Sequence, residues 1–347
     1  MVTLAVSVII PTYNRASLVA RAIESALAAI GPDDEILVVD DSSTDDTAVR
    51  LAAYGNNIRH IVIPHGGAGA ARNRGVAEAR NPLVAFLDSD DEWFADKLEL
   101  QRNVMEAQPA IAFCFSDFVV RDRHERTFPR YLKNWHNDPR PWDQILGPGF
   151  RYSSIASLPP GRDDFLIYVG DLYLPLMARL YIGTFTLLFR KDIPGGPPAF
   201  PVDLPTYEDW QFFGELAKRG PGAYLDCETA IQHGHNMPRL TNVDVLIQAV
   251  TRIKLLERVW GTDTEFLARH GNAYREVIED QRRRRKFYAA KKLLKAGRMR
   301  EAKSAFADVT GYPIYYRVLL YFPGYVVRML VWLVEKLRML VRAGESG

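Results

Sequence analysis

The chain has 347 residues, 48% of them hydrophobic, which is enough for a large core; its 44 basic and 42 acidic residues leave a formal charge of +2, too small to point to nucleic acid. With only two cysteines, Cys114 and Cys227, it holds no disulfide framework, so a reducing, cytoplasmic setting is expected. Strand-like residues begin almost at Met1, so no signal peptide is expected.

In chain order, Val6-Ser7-Val8-Ile9-Ile10 reads as a strand running into Pro11-Thr12-Tyr13-Asn14. Leu18, Val19, Ala22, Ile23, Ala26, Leu27 and Ile30 then recur at helical spacing. Residues 36–39 form a second strand, ending in Asp40-Asp41-Ser42-Ser43-Thr44-Asp45-Asp46-Thr47, where acids mix with residues suited to capping a helix. Residues 58–63 form a third strand, followed by His65-Gly66-Gly67-Ala68-Gly69-Ala70-Ala71-Arg72-Asn73-Arg74 and a short helix to about Ala79. A fourth strand at 83–87 stops abruptly in Asp88-Ser89-Asp90-Asp91 before a helix that starts near Asp96. Such alternation predicts an α/β fold, a mostly parallel sheet with helices on both faces. It places these polar segments at the carboxyl ends of strands, where open sheets hold their ligands.

The carboxylates of Asp88, Asp90 and Asp91 repel one another unless something positive lies between them. A hard divalent ion, Mg²⁺ or Mn²⁺, is the usual solution, because it takes one or two carboxylates and completes its shell with water and substrate phosphates. The same residues also read as a solvated acidic turn that caps the following helix. The glycines at 66, 67 and 69 allow the backbone to approach a ligand closely, and Arg72 on the next turn is placed to meet a diphosphate or to remain a solvated helix charge. Glu208-Asp209 forms a second acidic centre, preceded by a Pro-rich turn at 195–205 and followed by an amphipathic helix at 210–219; acids at a helix start are also favoured by the macrodipole alone.

Five segments in order, Ser7-Val8-Ile9-Ile10-Pro11-Thr12-Tyr13-Asn14-Arg15, Val38-Val39-Asp40-Asp41-Ser42-Ser43-Thr44-Asp45, Gly69-Ala70-Ala71-Arg72-Asn73-Arg74-Gly75, Phe86-Leu87-Asp88-Ser89-Asp90-Asp91 and Tyr207-Glu208-Asp209-Trp210, resemble the family 2 glycosyltransferases of GT-A nucleotide-sugar fold. The resemblance spans roughly residues 4–240 and is thin between 128 and 183. It implies a catalytic domain over 1–240, with a donor half to about 120 and an acceptor half to 240, and a helical extension over 241–347. It also implies a nucleotide diphosphate sugar donor, held by Pro11, Thr12, Tyr13, Asp41, Arg72 and Asp88, with Asp41 on the base. Asp90 and Asp91 take the metal, Asp90 first, and the spacing of Ile231-Gln232-His233-Gly234-His235 to Asn236-Met237 and Arg239 favours His233 over His235 as a further ligand, although Pro238 replaces the family's hydroxyl residue. Asp209 takes the proton of the attacking hydroxyl, with Glu208 as runner-up or positioning partner. A base opposite the leaving diphosphate implies single displacement with inversion.

Residues 128–180 show no sustained period and are rich in Pro, Trp, Tyr and Arg, including Trp135 and Trp142, which suits an acceptor-binding loop or a cover for the sheet. Beyond about 242 the chain reads as helical and basic, with Arg282-Arg283-Arg284-Arg285-Lys286 leading into two short helices around Gly297. Within 312–342, the strongly apolar stretch 325–341 carries Arg328, Glu335, Lys336 and Arg338 on one side when read at helical spacing. These charges argue against a crossing helix and for one lying in an anionic membrane surface, which would suit a lipid-linked glycan acceptor; packing on the catalytic domain or on a second copy in a homodimer is the alternative. A sugar nucleotidyltransferase is a weaker reading, since Pro11-Thr12-Tyr13-Asn14-Arg15 lacks that class's glycines, and a non-catalytic nucleotide-sugar or glycan-binding scaffold is the remaining one.

Overall fold

The computed structural model describes residues 4–237 and 243–307 and seven single positions between 322 and 333. The expected amphipathic segment 312–342 lies outside the described residues apart from those positions, as do Pro238 and Arg239. The chain divides into two units, residues 1–204 with 208–238, and residues 205–207 with 239–347.

The first unit runs β1 (Val6–Thr12), α1 (Val19–Ala29), β2 (Glu35–Asp40), α2 (Thr47–Ala52), β3 (Arg59–Val62), α3 (Gly67–Glu78), β4 (Leu83–Phe86), β5 (Glu92–Trp93), α4 (Lys97–Ala107), β6 (Phe113–Arg121) and β7 (Thr127–Phe128). It continues with α5 (Leu132–His136), α6 (Trp142–Leu146), β8 (Phe150–Arg151), β9 (Leu166–Gly170), α7 (Tyr173–Ala178), β10 (Leu188–Arg190), α8 (Glu208–Ala217) and β11 (Gly222–His233). One sheet holds these strands in the order β3-β2-β1-β4-β10-β6-β11-β9-β8, with β5 on β11 and β7 on β6. The expected α/β sheet flanked by helices is present.

Its first half, β3-β2-β1-β4, is parallel throughout. Every residue of β1 and β4 is buried, the pattern of inner strands covered on both faces. Helix α3 lies so close to β1 that a Cβ on Gly75 would sit 2.4 Å from Ile9 Cγ2. This helix is longer than the sequence suggests, because it begins inside the Gly-rich segment rather than after it. The Asp41 carboxylate accepts from the free amides of Gly66 and Gly67 (2.7 and 2.8 Å) and so fixes the helix start.

Beyond β4 the pairing is mixed. Strand β10 lies antiparallel between β4 and β6, which are themselves parallel in direction. Strand β11 is parallel to β6 and antiparallel to β9, and register shifts interrupt its pairing with β6 between Leu225 and Ile231. The aperiodic 128–180 stretch supplies α5, α6, β8, β9 and α7, pieces too short for a sequence period to reveal. Trp142 stacks on Tyr224 at 3.9 Å, and Trp135 meets Phe118 edge-on at 5.5 Å.

In the second unit α9 (Val245–Leu256), α10 (Thr264–Lys295) and α11 (Met299–Ala307) follow. Ala290, Leu293, Leu294, Ala302 and Val327 form its buried cluster. Among the described residues no helix is long and apolar enough to cross a membrane.

Candidate active site

Parallel strands β1, β2 and β4 bring their carboxyl ends to one edge of the sheet, and the expected donor residues lie there. Asp41 N donates to Thr12 O at 2.9 Å. The two strand-tip loops are tied to each other: Asn14 N donates to Ser43 Oγ (2.9 Å), Thr44 N to Asn14 Oδ1 (2.7 Å) and Arg15 N to Thr47 Oγ1 (3.1 Å). Asn14 and Ser42 take left-handed backbone, with φ of 50° and 62°, to make these turns. Pro11 is paired opposite Val39 within the sheet, Thr12 is 3% exposed, and Tyr13 stands out at 41% exposed. The Thr12 hydroxyl has no hydrogen-bond partner among the described residues, an orphaned buried polar atom of the kind a ligand satisfies. Asp41, expected on the base, is engaged by the Gly66 and Gly67 amides and by His65 Nδ1 at 2.9 Å.

The acids after β4 are arranged by the segment that follows β11. Asp90 Oδ2 lies 2.6 Å from His235 Nε2, while Arg21 Nη2 on α1 donates to the Asp90 carbonyl at 2.6 Å. His233 donates its backbone N–H to Asp91 Oδ1 (3.2 Å) and sets its ring nitrogen against Glu92 Oε2 (2.8 Å). The structure thus brings His235 rather than His233 to Asp90. Asp91 is buried, at 3% exposure, where it joins two loops.

Asp88 faces the other way, toward α3. Arg72 Nη2 donates to Asp88 Oδ1 at 2.6 Å, and Arg72 Nη1 to Glu208 Oε1 at 3.2 Å. Arg72 is 5% exposed and lies over the Phe200 ring at 5.2 Å, which itself stacks on Phe212 at 4.1 Å. One buried guanidinium therefore links the acids after β4 to the acids that open α8. Gly69 permits the approach, since a Cβ there would meet Phe200 Cβ at 3.3 Å. Expected to meet a diphosphate or to remain a solvated helix charge, Arg72 is buried among carboxylates as their counter-ion. Its Nε has no partner among the described residues.

Burial raises the Asp88 carboxyl above its ordinary value, with Asp90 adding to the effect and Arg72 opposing it. Burial likewise pushes Asp209 up to about 7, reinforced by the charge of Glu208 and countered by Arg72. Asp209 Oδ1 also accepts from Trp210 N at 2.7 Å. Two acids at one helix start with one of them held near neutrality are equipped for proton transfer at physiological pH.

No three His, Cys, Asp or Glu side chains among the described residues converge into a preformed metal cage. Asp90 with His235 supplies a hard oxygen and an imidazole of the sort that Mg²⁺ or Mn²⁺ takes when substrate phosphates complete the shell, and Asp88, turned to Arg72, adds a second carboxylate at the same strand tip.

Sequence reasoning missed three contributors: Arg21, His65 and Phe200. Arg21 lies on a helix read only for its apolar face, His65 precedes the Gly-rich segment without a motif of its own, and Phe200 reaches the site only through tertiary packing.

Residues 7–153 match the family model described as Glycosyl transferase family 2. An uncharacterized glycosyltransferase of Rickettsia felis is 38% identical over 134 residues, 38% of this chain and 21% of the relative. UDP-Glc:alpha-D-GlcNAc-diphosphoundecaprenol beta-1,3-glucosyltransferase WfgD of Escherichia coli is 34% identical over 117 residues, 33% of this chain and 46% of that protein. The chain spans less than half the length of these two curated relatives. The crystal structure of S. aureus TarS 1-349 in complex with UDP-GlcNAc shares the fold, with a TM-score of 0.51 at 16% identity over 94% of this chain and 91% of that one.

Proposed function

We propose that the chain, whose residues 7–153 match the family model described as Glycosyl transferase family 2, is an inverting, divalent-metal-dependent glycosyltransferase that moves a sugar from a nucleotide diphosphate donor to a hydroxyl of a glycan or lipid-linked glycan in surface polysaccharide biosynthesis. The observation that carries the reading is the Arg72 bridge between Asp88 and Glu208, which holds a phosphate- and metal-type acid centre beside a base-type acid centre.

In this reading Pro11, Thr12 and Tyr13 line the nucleoside end of the donor, and Asp90 and His235, with Asp88 from the same strand tip, would hold the metal, where Asp90, Asp91 and His233 were expected. When bound, the ion supplies Lewis-acid stabilisation of the charge that develops on the leaving diphosphate. Asp209 accepts the proton of the acceptor hydroxyl as its oxygen attacks the anomeric carbon, and the bond to the diphosphate breaks on the opposite face. Burial near Glu208 makes Asp209 basic enough for that transfer close to neutral pH. Glu208, tethered by Arg72, positions the helix start. The donor and diphospholipid-linked acceptor named for WfgD support a lipid-linked acceptor here, as does the apolar, one-sidedly charged segment 312–342, proposed to rest on the inner membrane face.

The test is a calorimetric titration of UDP-, dTDP- and GDP-sugars with and without Mn²⁺, together with nucleotide release, in the wild type and in Asp90→Ala. Metal-dependent binding and turnover of one donor, lost in the variant, is the expected result. Binding of no donor, or metal-dependent turnover that survives in Asp90→Ala, overturns the reading.

A further inference from the structure

The seat assigned above to the nucleobase is furnished on two sides by Tyr13 and Asp41, and a side chain of the protein stands in it. The His65 ring lies 4.4 Å from the Tyr13 ring at an interplanar angle of 32°, and its Nδ1 is 2.9 Å from Asp41 Oδ2 and 3.2 Å from the Asp41 carbonyl. Both neighbours are acceptors, so Nδ1 carries the proton and donates. A flat heteroaromatic ring that packs at a tilt against Tyr13 and presents a ring N–H to Asp41 occupies the two contacts that a pyrimidine or purine would make.

From this we infer that His65 is an intramolecular occupant of the base seat, a plug that an incoming nucleotide displaces. The inference rests on the donor-site reading above. The walls of the seat are fixed, while the occupant is not. Asp41 keeps its hold on the Gly66 and Gly67 amides, and the loops carrying Tyr13 and Asp41 are bonded to each other through Asn14, Ser43 and Thr44. The His65 side chain is 58% exposed and is retained by one ring contact and its Nδ1 proton. Rotation of that side chain alone clears the seat, with the backbone on both sides pinned. The orphaned hydroxyl of buried Thr12 at the same strand tip gives an arriving nucleoside a further partner that His65 leaves unsatisfied.

A plug lowers affinity for its competitor, because only the fraction of molecules with an open seat binds. Removing it raises affinity for nucleotides and leaves base-free ligands untouched. We would measure by calorimetry the binding of UDP, dTDP, GDP and inorganic pyrophosphate, each with Mg²⁺, to the wild type, His65→Ala and Tyr13→Ala. The expected result is about tenfold tighter binding of the preferred nucleotide to His65→Ala, about 1.4 kcal/mol, with pyrophosphate affinity unchanged and Tyr13→Ala weaker for the nucleotide. Unchanged or weaker nucleotide binding in His65→Ala, or an equal gain for pyrophosphate, overturns the plug. If instead the wild type binds none of the three nucleotides, or Tyr13→Ala binds them as well as the wild type, the donor-site reading fails, and the plug with it.

Discussion

Asp209→Asn should cut turnover and at the same time stabilise the protein. Burial pushes the Asp209 carboxyl up to about 7 from an ordinary 3.8. In the unfolded chain the group titrates at its ordinary value. Between about pH 4 and 7 the folded protein therefore holds a proton that the unfolded chain has released, and stability falls as pH rises through that window. A displacement of about three pH units corresponds to about 4 kcal/mol at full burial. Asp209 keeps partial solvent access, so about 2 kcal/mol is expected after screening. Asparagine cannot ionise, so the urea midpoint of the variant should match the wild type near pH 4 and exceed it at pH 8 by that amount. Loss of a general base lowers turnover by about 10²- to 10⁴-fold, and in the wild type kcat/KM for donor turnover should climb as pH passes about 7. A variant less stable than the wild type at pH 8, or one that retains full turnover, would refute the assignment of Asp209 as a base held ready by burial.

Gly75→Ala should lower stability by about 1–3 kcal/mol, the ordinary cost of overpacking, since the new methyl would lie 2.4 Å from Ile9 Cγ2; denaturant unfolding of the two proteins checks this. Arg72→Met removes the cation between Asp88 and Glu208 and should cost about 3–5 kcal/mol, as for a broken buried ion pair; an unchanged urea midpoint would refute the counter-ion role. Lys97, fully buried over Trp93 at 4.3 Å, has its ammonium pushed down to about 7 from 10.5 by burial. Its folded form therefore loses a proton that the unfolded chain keeps between about pH 7 and 10.5, so this group's contribution to stability rises with pH across that window, opposite in sign to Asp209, and Lys97→Met should abolish the rise. EDTA should stop donor turnover, with Mg²⁺ or Mn²⁺ restoring it in the wild type and failing to do so in Asp90→Ala, as nucleotide release would report.

The donor half was legible because its local signals agree. In β1, β2 and β4 an apolar run of strand length ends in turn chemistry, and α1 shows a clear helical period. The start of α3 was not legible, because glycines read locally as a loop and only Asp41, distant in sequence, turns them into a helix. The 128–180 region hid its strands for a different reason: β8 is two residues long and β9 five, below the length at which alternation is visible. At the site, the residue types were readable but their partners were not. Whether His233 or His235 faces Asp90 is decided past the end of β11 at His233, where strand periodicity no longer places the side chains.

Strand β10 is only three residues long, yet it lies between β4 and β6, which precede it by roughly 70 to 100 positions in the chain. During synthesis the ribosome delivers both of those strands well before the one that joins them. Until residue 190 emerges, β4 and β6 each present an open backbone edge, the kind that recruits stray strands. Arg72 likewise waits 136 positions for Glu208. A nascent chain can thus assemble the parallel half of its sheet early and remain unable to complete either sheet or site. Substitutions in the small Leu188–Arg190 strand are therefore expected to appear first as poor yield and inclusion bodies, ahead of any defect in the protein that does mature.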